Sequence, residues 1–170
     1  MDVSKAIRVR RSIRKYKPQP VEEEKLLRVL EAGRLAPSAT NRQPWHFIVI
    51  TDPATRERMR QSYDRDWFVS APVIIVVCAD PKGAWIRKDT EEYWKVDAAI
   101  ALQNMILTAT EEGLGTCWIA AFKEPPAKEI LGIPPHIRVV AMTPLGYPDE
   151  EKGEVTDRKP LSEILHREHW

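Results

Sequence analysis

Cysteine is nearly absent from this chain: of 170 residues only Cys78 and Cys117 are cysteines, each inside an apolar, strand-like segment. A disulfide framework is not expected; buried free thiols are, and they fit a reducing, cytoplasmic setting. Burial also argues against Cys117 as a redox thiol. Long hydrophobic runs are missing. The longest, APVIIVVCA from Ala71 to Ala79, is far too short to span a bilayer. The N-terminus is basic but no hydrophobic stretch follows it, so no cleavable signal is expected. Neither sign of charge dominates: 26 Lys and Arg face 25 Asp and Glu, a net of +1. That balance argues against a whole-protein nucleic-acid binder, which needs excess cations to displace counterions. Glycines number 7, and the GLG at 113–115 lacks the full fingerprint of a dinucleotide-binding Rossmann turn. His166 and His169 have helical spacing but read as solvated rather than metal-ligating. The acids Glu111, Glu112 and Asp149 to Glu151 show no paired-carboxylate logic and read as solvated too. Internal repeats and low-complexity segments are absent.

What is present is a single domain's worth of chain with 43% hydrophobic residues, enough for a sizeable core. Its most informative stretch is APSATNRQPWHFIVI, Ala36 to Ile50. Pro37 ends the preceding helix, and Ser38, Thr40, Asn41, Arg42 and Gln43 crowd donors and acceptors into a short loop. Pro44 closes the loop, and Trp45 to Ile50 runs on as a strand of β-branched and aromatic residues. Such a loop suits a polar small molecule; a solvated turn explains the same composition equally well. A second polar stretch, IRVRRSIRKYKPQP, holds Arg8, Arg10, Arg11, Arg14, Lys15 and Lys17. It reads as a solvated face, a nucleic-acid patch or a phosphate cradle. Val9 and Ile13 interleave with its arginines, implying partial burial and oriented guanidinium forks apt for phosphate.

The remaining pattern alternates helices and strands. Residues 2 to 9 form a short helix capped by Asp2 or Ser4. Pro20 to Leu35 is a helix with Glu22, Glu23 and Glu24 in its first turn and Leu26, Leu27, Leu30 and Gly33 on its packed side. A strand at 45 to 51 precedes a helix from Asp52-Pro53 to about Tyr63. Pro72 to Ala79 is a strand buried on both faces, which requires covering helices. Val96 to Glu112 is a central helix, apolar nearly all round and stopped at GLG. A third strand follows over 116 to 122, then a helix from Glu124 to Leu131 ended by Gly132. A fourth strand, Ile137 to Tyr147, and a final helix, Pro160 to Glu168, complete an α/β domain with helices on the faces of a sheet. Tyr63, Trp67, Phe68, Trp85, Tyr93 and Trp94 lie in or beside irregular segments, where aromatics anchor loops, line a pocket or form an oligomer interface. Arg158 and Lys159 precede the last helix. If the chain's two ends meet, they join Arg10, Arg11, Arg14 and the Ser12 hydroxyl around one phosphate.

Four segments together carry a family resemblance: RRSIRKY at 10–16, APSATNRQPWHF at 36–47, DAAIALQNMILTATEEGLGTCWIAAF at 97–122 and DRKPLSEI at 157–164. In this order and spacing they resemble the nitroreductase family of flavoproteins over nearly the whole chain. The resemblance implies a single domain over 1–170, built on a mixed, mainly antiparallel sheet (α+β) flanked by helices, in an intertwined homodimer with FMN at the subunit interface. Residues 157–170 would be an extension packing on the flavin site or the partner subunit. By similarity, Arg10, Arg11, Ser12 and Arg14 contact the phosphate, ribityl chain and pyrimidine edge. There Arg14 would stabilise the negative charge that develops on reduction. Pro37, Ser38, Ala39, Asn41 and Gln43 would come from the partner subunit. Trp118, Ile119 and Ala120 would pass beside the ring, largely through backbone groups, and Arg158 and Lys159 would return to the phosphate. The implied reaction is ping-pong, with hydride passing from NADH or NADPH to flavin N5 and then to a small planar oxidant such as a quinone or nitroarene. No side-chain acid, base or nucleophile is required, so no catalytic residue is assigned. The short 53–71 segment lacks a long inserted lid and disfavours reductive dehalogenation. A flavin-binding, sensing or storage protein with little turnover, and a nucleic-acid binder using the N-terminal segment, are the competing readings.

Overall fold

The computed structural model describes residues 1–170. Its centre is β2 (Val73–Ala79), every residue of which is buried. Alternate side chains of a strand point to opposite faces, so this uninterrupted apolar run supplies two cores. Val73, Ile75 and Val77 pack under α5 (Trp94–Glu111) and α2 (Glu23–Arg34). Ile74, Val76 and Cys78 pack on the other side with Met59, Phe68, Val69 and Ala127. The second layer comes from α3 (Pro53–Arg58), a 3-10 turn at Met59–Gln61, α4 (Asp66–Val69) and α6 (Glu124–Leu131). β1 (Trp45–Ile50) and β4 (Arg138–Gly146) flank β2, and β3 (Gly115–Thr116) lies beyond β4, giving the order β1-β2-β4-β3 with every pairing antiparallel. The expected parallel component reduces to one bridge, Ser12 with Thr116. α1 (Val3–Val9) is capped by Asp2, whose side chain accepts from the Lys5 amide.

Several boundaries differ from the sequence reading. The third strand does not run to 122. In the β3–β4 register Pro144 falls opposite Cys117, and its missing N–H interrupts the ladder. The Cys117 amide bonds the Thr143 hydroxyl at 3.2 Å instead, and pairing resumes only at Ile119 with Met142. α2 starts at Glu23 rather than Pro20, while the Glu22 carboxylate accepts from the Tyr147 hydroxyl. On that helix Val29 is core, whereas Leu27 is 54% exposed. The helix expected to reach Tyr63 tightens into the 3-10 turn that buries Met59. The last helix is only α7 (Leu161–Ile164), since an exposed segment without a packing face is marginal as a helix. No helix is long and apolar enough to cross a membrane. Both thiols are buried and unpaired, and burial pushes the Cys78 thiol up to about 12.

Leu102 on α5 is fully buried between the sheet and α2. Leu102→Ala is expected to cost about 2–5 kcal/mol by leaving a cavity, read as a lower urea midpoint at unchanged slope. A loss below about 1 kcal/mol would show that this layer repacks.

Candidate functional site

The arginine segment is fastened along the β3 edge by its backbone. The Ile13 amide donates to the Thr116 carbonyl at 2.8 Å, and the Ile13 carbonyl accepts from the buried Tyr16 hydroxyl at 2.6 Å. On the flanking residues, the Ser12 carbonyl accepts from Lys152 Nζ at 2.6 Å and the Arg14 amide donates to Glu150 Oε1 at 2.5 Å. Glu150 and Lys152 are themselves paired at 2.9 Å. Burial raises the Glu150 carboxyl, but the Arg14 amide and the Lys152 ammonium more than offset this and hold it below the usual range. Gly115 permits the close approach, because a Cβ there would meet Ile13 Cγ1 at 2.8 Å. With the backbone so occupied, Arg10, Arg11 and Ser12 are half-buried and Arg14 is exposed, its guanidinium 5.8 Å from the centre of the Trp67 ring.

Just beyond, Ile119 exchanges both backbone bonds with Met142, at 2.9 and 3.1 Å. In an extended chain the neighbouring amides point the other way. Those of Trp118 and Ala120 therefore face outward along the same edge, with no backbone partner in the chain. Trp118 is 38% exposed. The arginine segment and the 118–120 amides thus share one edge in one subunit.

The 36–43 loop lies elsewhere, at the N-terminal end of α5. Ala39 donates its amide to Asp97 Oδ1 at 2.9 Å, across 58 residues of sequence. The Gln43 amide donates to Ser38 Oγ at 2.9 Å, and Gln43 Nε2 to the Asn41 carbonyl at 3.1 Å. Thr40, Asn41 and Gln43 have φ of 49°, 55° and 50°. Such left-handed non-glycine positions cost roughly 1–3 kcal/mol each and cluster at functional sites. Asp97 is 1% exposed, and its Oδ2 is the one buried side-chain polar atom without a hydrogen-bond partner.

From Asp97, which holds the loop, to Glu111, at the end that leads to β3 and the arginine segment, α5 rises about 21 Å at 1.5 Å per residue. Within a single subunit they do not surround a common ligand. The chain's ends do meet, but through Pro148 to Lys152; Arg158 and Lys159 lie further along, exposed and without a hydrogen bond to the arginine segment. Among the aromatics, Phe68 and Trp94 are core residues and so leave the pocket candidates. Trp85 and Tyr93 pack edge-to-face at 5.0 Å, and Trp67 alone of the six stands beside an arginine of the segment. The sequence reading missed Asp97, Glu150 and Lys152. A lone acid in the first turn of an otherwise apolar helix was the available signal for the first.

The family model described as the nitroreductase family matches residues 7–63 and 60–147. An Archaeoglobus fulgidus protein, provisionally named an NADH dehydrogenase/NAD(P)H nitroreductase, is 38% identical over 98% of this chain and 97% of its own. A crystal structure of a nitroreductase family protein from Clostridium difficile superposes with a TM-score of 0.93 at 30% identity, covering 100% of both chains. An FMN-dependent nitroreductase from the same species gives a TM-score of 0.83 at 34% identity, over 95% of this chain and 96% of that one. A family model that covers most of the chain, and a relative 38% identical over nearly its whole length, show that the chain belongs to the nitroreductase family.

Proposed function

We propose that this chain is an FMN-dependent oxidoreductase that takes electrons from NADH or NADPH, working as a homodimer with the flavin between subunits. The observation that carries the reading is the separation of two ligand-ready groups to opposite ends of α5. A twofold axis that packs two α5 helices antiparallel brings the N-terminal end of one beside the C-terminal end of the other. α5 carries a seam for this pairing: Val96 and Ile100 are exposed, and Gln103 and Leu107 continue the stripe at helical spacing. Residues 157–170 are exposed in one subunit and carry Leu161, Ile164, Leu165 and Trp170 outward, which suits an arm packing on the partner subunit or the flavin site. The unpaired thiols fit a cytoplasmic setting.

The residues fit the cofactor. Arg10 and Arg11 offer guanidinium forks, and Ser12 a hydroxyl, to a phosphate dianion, with Arg158 and Lys159 of the arm as further cations. Arg14, propped on Trp67, is assigned to the pyrimidine edge, where a fixed cation favours the reduced state. Ile119 holds the strand in place while the Trp118 and Ala120 amides serve as donors beside the ring. Pro37, Ser38, Ala39, Asn41 and Gln43 of the partner subunit complete the polar lining. FMN, when bound, supplies reversible acceptance and release of hydride, and the chain needs no acid, base or nucleophile of its own. The open, aromatic-edged site favours small planar oxidants such as quinones or nitroarenes.

An anaerobic absorbance spectrum tests the reading: the purified protein should be yellow and bleach on adding NADH or NADPH. A colourless protein that takes up no added FMN would overturn it. Lys152→Met, which releases the Ser12 carbonyl, is expected to weaken FMN binding about 10- to 100-fold, the worth of a charge-assisted hydrogen bond. An unchanged Kd would remove the Lys152 clamp from the site. The Glu150 clamp also has a pH signature. A carboxylate whose pKa is lowered by folding gives its full contribution above the unfolded value and loses it as the pH falls through the lowered one. The folding stability of the flavin-free protein should therefore keep the Glu150 contribution above about pH 4.3 and lose it only below, with that loss absent in Glu150→Gln.

A further inference from the structure

Asp97 is an ionisable group sealed at 1% exposure inside an apolar layer, and nothing in the reaction calls for it. It lies in the N-terminal turn of α5, where unpaired helix amides carry partial positive charge. That position explains how the carboxylate is tolerated, not why it is there. Its hydrogen bonding is more informative. Oδ1 accepts the Ala39 amide at 2.9 Å, and Oδ2 accepts nothing. The loop amide is therefore the only hydrogen-bond partner this buried carboxylate has.

What the bond does follows from its place in the loop. Ala39 opens the 3-10 turn Ala39–Asn41, directly before the left-handed residues Thr40 and Asn41, with Gln43 left-handed two positions on. The loop's own bonds are short-range: the Asn41 amide to the Ser38 carbonyl at 3.0 Å, Arg42 to Ala39 at 3.2 Å, and Gln43 to the Ser38 hydroxyl at 2.9 Å. All of them survive if the turn pivots as a unit. The Asp97–Ala39 bond is the one side-chain hydrogen bond tying the turn to a rigid element. A β-branched threonine held at φ 49° reverts to an ordinary conformation unless its surroundings over-determine it.

We propose that Asp97 is the positioning residue of the flavin loop: through the Ala39 amide it locks residues 38–43 to the end of α5, so that Ser38, Asn41 and Gln43 meet the cofactor already arranged. The inference rests on the FMN reading above, and the test separates the two. Hydrogen–deuterium exchange on the full-length protein freed of flavin reads the loop without the cofactor, and FMN titration by fluorescence quenching reads its consequence. Asp97→Leu removes the acceptor. Ala39→Pro removes the donor without touching α5, at a first helical position that suits proline. Asp97→Asn keeps an acceptor oxygen of the same reach.

Both deletions should speed exchange in the 36–44 peptide about tenfold or more and raise the FMN Kd about 10- to 100-fold. Exchange in β2 and in residues 10–16 should not change. Asp97→Asn should restore both readouts to within a few-fold of wild type. Unchanged loop exchange in Asp97→Leu and Ala39→Pro would overturn the proposal. So would a loss in Asp97→Asn as large as in Asp97→Leu, which would assign the effect to charge rather than to the bond. A wild-type protein that takes up no FMN would instead sink the cofactor reading, while the exchange comparison would still decide the role of Asp97.

Discussion

α5 sets the spacing that the rest of the chain obeys. It is 18 residues long, apolar on nearly every side, and wedged between the sheet and α2. Its first turn holds the 36–43 loop through Asp97, and the turn after its last residue feeds β3, to which the arginine segment is bonded. Gly113, at φ 76°, makes that stop possible: the Leu114 amide returns to the Ala109 carbonyl at 2.8 Å and the chain reverses toward the sheet. A helix is stiff and rises by a fixed step, so the two ligand-ready groups are held at a fixed distance that neither can shorten. The proposed dimer turns that separation into a site, and the same α5 seam that would bury apolar surface between subunits would complete the polar lining.

Rigidity at both ends comes from long-range bonds rather than from local propensity. The arginine segment has no regular structure of its own, yet the Ser12 carbonyl, both backbone groups of Ile13 and the Arg14 amide are bonded to four different residues. Four anchored backbone groups in three consecutive residues fix the course of the chain, which is how an irregular segment presents cations in a defined direction. Glu150 adds a further effect. It anchors the Arg14 amide while pairing with Lys152, so the clamp brings almost no net charge to the region proposed to hold the phosphate.

Much of this was legible in the sequence where a single residue type dictates the outcome. The apolar run at 73–79 had to be covered on both faces, and α5 and α6 cover it. Asp2 and Asp52 cap the helices that follow them, and Gly132, at φ 64°, ends α6. Other features depended on register or on closure of the chain. Pro144 is visible in the sequence, but its effect on Cys117 requires knowing which residues face each other across β3 and β4. Glu150 sits in an acidic run that reads as solvent-facing until tertiary folding brings it to Arg14. Asp97 lies in the first turn of an otherwise apolar helix, and nothing near it in sequence announces a loop 58 residues upstream. The α7 segment follows neither pattern, because a partner for its apolar side chains is not found within one subunit.

In the proposed dimer, one flavin site draws the arginine segment from one subunit and the 36–43 loop from the other. Mixed dimers test it directly. Arg10→Glu should disable one half of every site and Ser38→Trp the other half, so each variant alone binds no FMN. Unfolding the two together and refolding them as a one-to-one mixture makes about half of the dimers mixed, and each mixed dimer holds one unaltered site, so about a quarter of the sites should recover FMN. A mixture that binds no more than the separate variants would rule out the shared site and place the whole of it within one chain.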